Sequence, residues 1–493
     1  MRARILSLIT VVALLVLTGS CTPNRQYRLH EAATEHHPDG KASYDLAYVE
    51  FDEQGDFWDR DQLARAVALV KQTRKPLLVV YVHGWQNNAF DSFDVGQFHS
   101  VLGKLAQTQR VQDLGYQVVG LYLGWRGKQA YDPLLKLLSF KNRKDAAVRI
   151  GSSNTITEAI FRVVYEARHQ RPAARTILIG HSFGALVVER AVEQAMTGGL
   201  LTGRPVVPAD FILLVNSAAE SIYAKEMRDM MEATLSFDNY RKCYQAPEES
   251  DCFLKDEPRI ISVTSETDQA TGVAFPIGAT LFGLGKLYRD YSPQQTGGER
   301  LNQRLFFTHT PGHNDFLLDH AIVPLDNAPP ETRRLRAFEE NLDHPQARPA
   351  SGADAQVTPI FATGEGPPNE WKWWRLNYTG NPSKRSLFWI VKVPKQILNG
   401  HGDIFNPAAR DMMAALFRLS NVLDRGDAPA AEITVNPKPL TVGQPLAPAA
   451  MLAAPAPAPN EAGTPSPAPR HRLRKPKKTK ALFLQQVGRV PAK

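Results

Sequence analysis

Six short apolar runs, none alternating with polar residues, constrain this chain more than any other feature. They read "PLLVVYVHGW" (76–85), "YQVVGLYLGWRG" (116–127), "RTILIGHS" (175–182), "DFILLVNSA" (210–218), "RIISVTSETD" (259–268) and "SLFWIVKV" (386–393). A strand that is apolar on both faces must be covered on both faces. Helix-period segments such as "QLARAVALVKQT" (62–73) lie between such runs. Strands alternating with helices build a mostly parallel sheet between helical layers, so the expected class is α/β. "ASYDLAYVEFD" (42–52) alternates and is expected as an edge strand.

The ends of the chain differ from its middle. Arg2 and Arg4 precede a 13-residue apolar core, "ILSLITVVALLVL", and "TGSC" closes the segment at Cys21. Such a core is short for a membrane helix and suits a signal peptide over residues 1–20. The segment resembles a bacterial lipoprotein signal, which implies lipid on Cys21. The place implied is the cell envelope, lipid-anchored, in the outer membrane or periplasm. Residues 21–44 are polar and expected as a tether. A folded domain is expected over 45–426, and a disordered Pro/Ala-rich tail with a basic end over 427–493.

The net charge of +8 belongs to that tail, which carries no acid after Glu461 but does carry Arg470, Arg472, Arg474, Lys475, Lys477, Lys478, Lys480, Arg489 and Lys493. The body is near neutral, and no basic face interleaved with aromatics marks a nucleic-acid binder. Only Cys243 and Cys252 remain besides Cys21. In an exported chain they are expected to form a disulfide. Two cysteines without a second pair imply no metal site.

The chemistry concentrates at "TILIGHSFGALVV". Gly180, Ser182 and Gly184 fit G-x-S-x-G directly after a strand and before a helix. A serine on so sharp a turn projects its Oγ over the carboxyl edge of the sheet as a nucleophile, and the glycines relieve crowding in the turn. An acyl-transfer site also needs donors for an oxyanion. The backbone N–H groups of Trp85, after His83 and Gly84, and of Phe183 are the candidates. The His83 ring is expected to fix its loop. The base should follow the last strand, which places it at His401 in "NGHGDIF". The orienting acid should follow the fifth strand, where Asp268 is preferred and Glu266 is the runner-up. His309, His313 and His320 precede the last strand, which disfavours them as the base. A metal pair of His309 and His313 would want Asp315 or His320 as a further ligand.

Over roughly residues 45–425 the chain resembles the α/β-hydrolase superfamily. It is most similar to a group of largely uncharacterised bacterial and fungal members. The motifs that carry the resemblance are "VHGWQNN", "GHSFG" and "HGDIF". The resemblance implies a cofactor-free serine hydrolase, carboxylesterase- or lipase-like, acting on small-molecule or lipid esters. Metal and nucleotide are not implied, and the oligomeric state stays open. Two other readings use the same residues or the same fold: an acyltransferase, and an inactive envelope scaffold that binds a lipid or protein. From Asp268 to His401 is a long interval for this fold. An insertion around 276–385 is therefore expected to leave the sheet and roof the pocket as a lid, together with the Cys243–Cys252 loop. Trp371, Trp373 and Trp374 would either line an acyl pocket or pack that insertion onto the body.

Overall fold

The fold is that of a computed structural model, which describes residues 22–423 other than 39–41, 91–92, 129–132, 170–172, 202–206, 236–257, 284, 293–300, 326–359, 365–370, 380–386 and 421. Cys21, Cys243 and Cys252, the expected signal peptide and the expected basic tail lie outside the described residues.

The strands are β1 (Thr34–His37), β2 (Tyr44–Glu50), β3 (Pro76–Val82), β4 (Gln117–Gly124), β5 (Arg175–His181), β6 (Phe211–Val215), β7 (Ile260–Ser265), β8 (Asp290–Tyr291), β9 (Leu301–Asn302), β10 (His320–Leu325), β11 (Ile360–Thr363), β12 (Lys372–Tyr378) and β13 (Phe388–Val393). Eleven of them form one sheet in the order β1-β2-β4-β3-β5-β6-β7-β13-β10-β12-β11, with β8 and β9 as a separate pair. From β2 to β10 every neighbouring pair is parallel. The outer strands β1, β12 and β11 pair antiparallel. The longer helices are α1 (Arg60–Gln72), α2 (Phe93–Gln107), α3 (Pro133–Gly151), α4 (Asn154–Arg168), α5 (Phe183–Leu201), α6 (Ser221–Leu235), α7 (Phe275–Phe282) and α8 (Pro407–Leu419).

The six unalternating runs are β3, β4, β5, β6, β7 and β13, side by side in the middle of the sheet. Successive apolar residues along these strands feed opposite cores. Leu78, Val80 and Val82 of β3 join Leu63, Ile160 and Val187 in one layer. Leu77, Val79 and Tyr81 join Phe98, Leu102 and Met412 in the other. The covering helices start on side chains that satisfy their free amides. Asp59 accepts from Asp61 N, Ser153 from Ile156 N, and Asn406 from Ala409 N.

Three expectations need correction. The run at 42–52 is β2, and the short β1 lies outside it. Residues 22–38 are not a free tether. Tyr27 N and Arg28 N donate to the Glu50 carboxylate, and Glu35 lies between His37 at 3.1 Å and His99 at 3.2 Å, with Arg28 at 2.8 Å. Burial works to raise Glu35, but hydrogen bonds from His99 and His37 and the Arg28 charge outweigh it and hold the carboxyl at about 2. Nor does the stretch 276–385 lie wholly over the sheet. Its described later part supplies β10, β12 and β11, which continue the sheet beyond β13. Trp373 and Trp374 are buried on β12, and the Trp374 indole N–H donates to Thr363 Oγ1 at 2.8 Å. Both belong to strand β12 of the main sheet rather than to an insertion laid over it. Among the described residues no helix is long and apolar enough to cross a membrane.

Glu189, on α5, is buried: Ser217 Oγ donates to its Oε1 at 2.6 Å, and among the described residues Oε2 has no partner and no cation pairs with it. Burial pushes its carboxyl up to about 8, against the Ser217 hydrogen bond. Between the ordinary carboxylate value and about 8 the folded state keeps a proton that the unfolded chain has released, so stability falls as pH rises through that window. Glu189→Gln is expected to flatten that decline, read as thermal unfolding midpoints from pH 5 to pH 9. Parallel curves for the two proteins would contradict the assignment.

Candidate active site

The chain passes from β5 to α5 with only Ser182 between them. Ser182 pays for that turn with a left-handed backbone, φ +57°, which costs a non-glycine residue about 1–3 kcal/mol. The turn also forces close approaches. A Cβ on Gly180 would come 2.6 Å from Ala185 Cα, and one on Gly184 would collide with the Val82 carbonyl of β3. Asp59, Ser153 and Asn406 cap their helices through a side chain at this position. Here the Ser182 carbonyl accepts from Ala185 N and Leu186 N, while its Oγ lies 2.7 Å from His401 Nε2.

His401 sits in the loop between β13 and α8, after Gly400 at φ +80°. Its Nδ1 lies 2.8 Å from Asp268 Oδ2. The Nδ1–H donating to Asp268 leaves Nε2 free to accept from the Ser182 hydroxyl. Asp268 is buried beyond β7. Its Oδ1 accepts from Ala270 N and Thr271 N, and its Oδ2 also accepts from Thr271 Oγ1 at 2.6 Å. Burial works to raise the Asp268 carboxyl, but the hydrogen bond and charge of His401, with Thr271, outweigh it and hold it below the usual range. Glu266 is exposed and accepts from Lys395 N, so it does not reach the imidazole.

The His401 loop is held from beneath by residues that the motifs did not reveal. Asn216, at the end of β6 with φ +47°, donates through Nδ2 to the carbonyls of His401 at 2.8 Å and Gly400 at 3.1 Å. Its Oδ1 accepts from Ser265 N at 3.0 Å. Gly400 N donates to Thr267 Oγ1 at 2.9 Å and Ser265 Oγ at 3.2 Å. The available signal was an Asn closing an apolar strand, where a left-handed residue is common. His181 adds a contact from its ring Nε2 to the His401 carbonyl at 3.0 Å. Burial, then the neighbouring His401, push the His181 ring down to about 3, so it stays neutral.

The other wall is the loop after β3. Gly84 fits only as glycine, since a Cβ there would come 2.7 Å from Ser182 Cβ and 2.8 Å from the His181 carbonyl. Trp85 follows it, half-buried, with its ring 5.4 Å from Phe140 and Phe140 5.2 Å from Phe183. His83 is structural. Its Nδ1 donates to the Gly84 carbonyl at 2.9 Å, and its Nε2 accepts from Trp125 N at 3.0 Å. Burial pushes it down to about 4, against those backbone bonds, and this fits the neutral tautomer they require. Beneath the loop, the Tyr81 and Tyr122 hydroxyls donate to Asp94 at 2.9 and 3.0 Å.

The rival histidines lie elsewhere. His313 rests near Thr310 and Thr271, behind Asp268, and burial, then Lys392, push it down to about 4. His309 contacts Thr308 Oγ1, and His320 bonds Asp319 at 2.8 Å and stacks on Trp389. No cluster of metal-ligand atoms includes His309 or His313 among the described residues; the group that converges is Glu35, His37 and His99. No family model matches the chain, and no curated protein matches it as a relative.

With Asp268 ionised and accepting, the His401 Nδ1 proton is expected as a strongly downfield proton resonance. Asp268→Asn should abolish it, and Asn216→Ala should broaden it and lower stability by about 1–3 kcal/mol, the cost of stranding buried polar groups. An unchanged resonance in Asp268→Asn would contradict the assigned tautomer.

Proposed function

We propose that this protein is an exported, lipid-anchored serine hydrolase of the α/β-hydrolase superfamily, acting on carboxylic esters. The observation that carries this reading is the continuous hydrogen-bonded line from Asp268 through His401 to Ser182 at the mouth of a strained strand-to-helix turn. The chain order of nucleophile, acid and histidine is that of the superfamily. The placement of the oxyanion loop after β3, the nucleophile after β5, the acid after β7 and the histidine after β13 supports it further.

In the proposed mechanism Ser182 Oγ attacks the ester carbonyl carbon while His401 Nε2 takes the hydroxyl proton. The carbonyl oxygen becomes an oxyanion, met by the N–H groups of Phe183 and Trp85. Phe183 opens α5, so its amide is among those that no turn of its own helix satisfies. The bond to the alcohol oxygen breaks, and the alcohol leaves with the proton from Nε2. Water then attacks the acyl-enzyme and gives its proton to Nε2. The acid departs, and Ser182 recovers its proton. Asp268 stays ionised and steadies the imidazolium throughout. The His401 side chain is 25% exposed, so water reaches the base.

Turnover of p-nitrophenyl esters tests the reading. Ser182→Ala and His401→Ala should each lower kcat by at least about 10³-fold, and Asp268→Asn by about 10³–10⁴-fold. Glu266→Gln should stay within about twofold, since its carboxylate serves only an exposed backbone amide. Undiminished turnover by Ser182→Ala would sink the proposal.

A further inference from the structure

The N-terminal segment enters the fold beside the candidate active site. Thr22 is buried, its hydroxyl donates to the Lys128 carbonyl, and Arg126 donates to the Thr22 carbonyl. Arg126 is itself fixed, with Arg143, on the Glu53 carboxylate at 2.7 and 2.8 Å. Residues 126–128 run along the loop that carries Gly84: Gln86 N donates to the Gly127 carbonyl at 3.0 Å, and Lys128 N to the Asn87 carbonyl at 2.9 Å. Further on, Arg28 Nε donates to the Ala89 carbonyl, and the Tyr27 ring lies 5.8 Å from Phe90. The described chain thus begins, at Thr22, beside the edge where Ser182 opens.

That same edge is apolar. Phe90 and Phe93, after β3, are 55% and 75% exposed. Val273, Ile277 and Leu281, after β7, are each more than half exposed and recur every fourth residue. That spacing puts them on one face of the helical segment, while Phe275 turns inward under the Lys144 ammonium. β3 and β7 flank β5 and β6 in a parallel sheet, so these two groups stand on either side of the turn that holds Ser182.

The geometry points to a domain whose Ser182 edge rests on the bilayer that holds Cys21, with Phe90, Phe93, Val273, Ile277 and Leu281 seated in its interface. The substrate is then an ester-bearing amphiphile drawn from that membrane rather than a soluble ester. This rests on the serine-hydrolase reading above and on lipid at Cys21. A lipid on one residue tethers a domain to the bilayer but leaves it free to turn, and a second apolar contact fixes which edge faces the membrane.

The test uses the mature chain on phosphatidylethanolamine–phosphatidylglycerol vesicles. Hydrogen exchange in peptides containing Phe90, Phe93 or Ile277 should slow at least about fivefold when vesicles are added, and peptides at the opposite edge, around Lys75 and Tyr116, should not change. Phe93→Asp combined with Ile277→Asp and Leu281→Asp should cut turnover of a vesicle-borne long-chain ester at least about tenfold, with a soluble short-chain ester unaffected. Absence of protection at the rim, protection at the opposite edge, or a triple variant as active on vesicles as its parent overturns the inference. So does an oligomer in sedimentation that the triple substitution dissolves, which would assign the rim to a second copy. If the parent cleaves neither ester, the hydrolase reading has failed, and the exchange pattern alone decides the placement.

Discussion

The rest of the site depends on the close passage of β5 into α5. No residue intervenes except Ser182, so it must adopt a left-handed backbone. Gly180 and Gly184 must lack side chains because α5 and β3 pass where a Cβ would stand. One geometric demand therefore lifts the serine Oγ out of the sheet, aims the first amides of α5 at the same space, and brings β3 with Gly84 against it. The strain is offset by burial on both sides, since Leu186, Val187 and Val188 sit fully inside the helical layer.

Charge is kept scarce around this turn. His83 and His181 are buried and held neutral, and His313 is pushed down behind Asp268. The carboxylate that stays ionised next to His401 is Asp268, with three donors from Ala270 and Thr271 besides the imidazole. An imidazolium on His401 would thus find a fixed anion in line and no competing cation among its histidine neighbours. Glu189 is buried on α5, with no cation against it among the described residues, and holding it protonated avoids an unpaired anion inside the nucleophile helix.

Much of this was legible in the sequence because the central strands are apolar on both faces and need no partner to be recognised. β3, β4, β5, β6, β7 and β13 fall on the six runs, and Ser182, Asp268 and His401 fall at the carboxyl ends of three of them. Choosing Asp268 over Glu266 rested on two residues of loop length, and the structure separates them by burial. What was missed depends on distant pairing. β10 contains Pro324, which argues against a strand in isolation, and the tryptophans of β12 read as part of an insertion until β10 and β11 lie on either side of them. Residues 22–38 are polar because they spend their polar groups on Glu50, His99 and the 126–128 loop. Asn216 gave only a turn-like residue at a strand end, and its hold on His401 exists only after β6 and β13 are brought to the same edge.

The most direct measurement is reaction of the full-length protein with a fluorophosphonate, followed by peptide mass analysis. The account predicts one adduct, on the peptide bearing Ser182, absent in Ser182→Ala and strongly slowed in His401→Ala. A protein that takes no adduct, or takes it on another residue with Ser182 untouched, would contradict the claim that this turn presents an activated nucleophile.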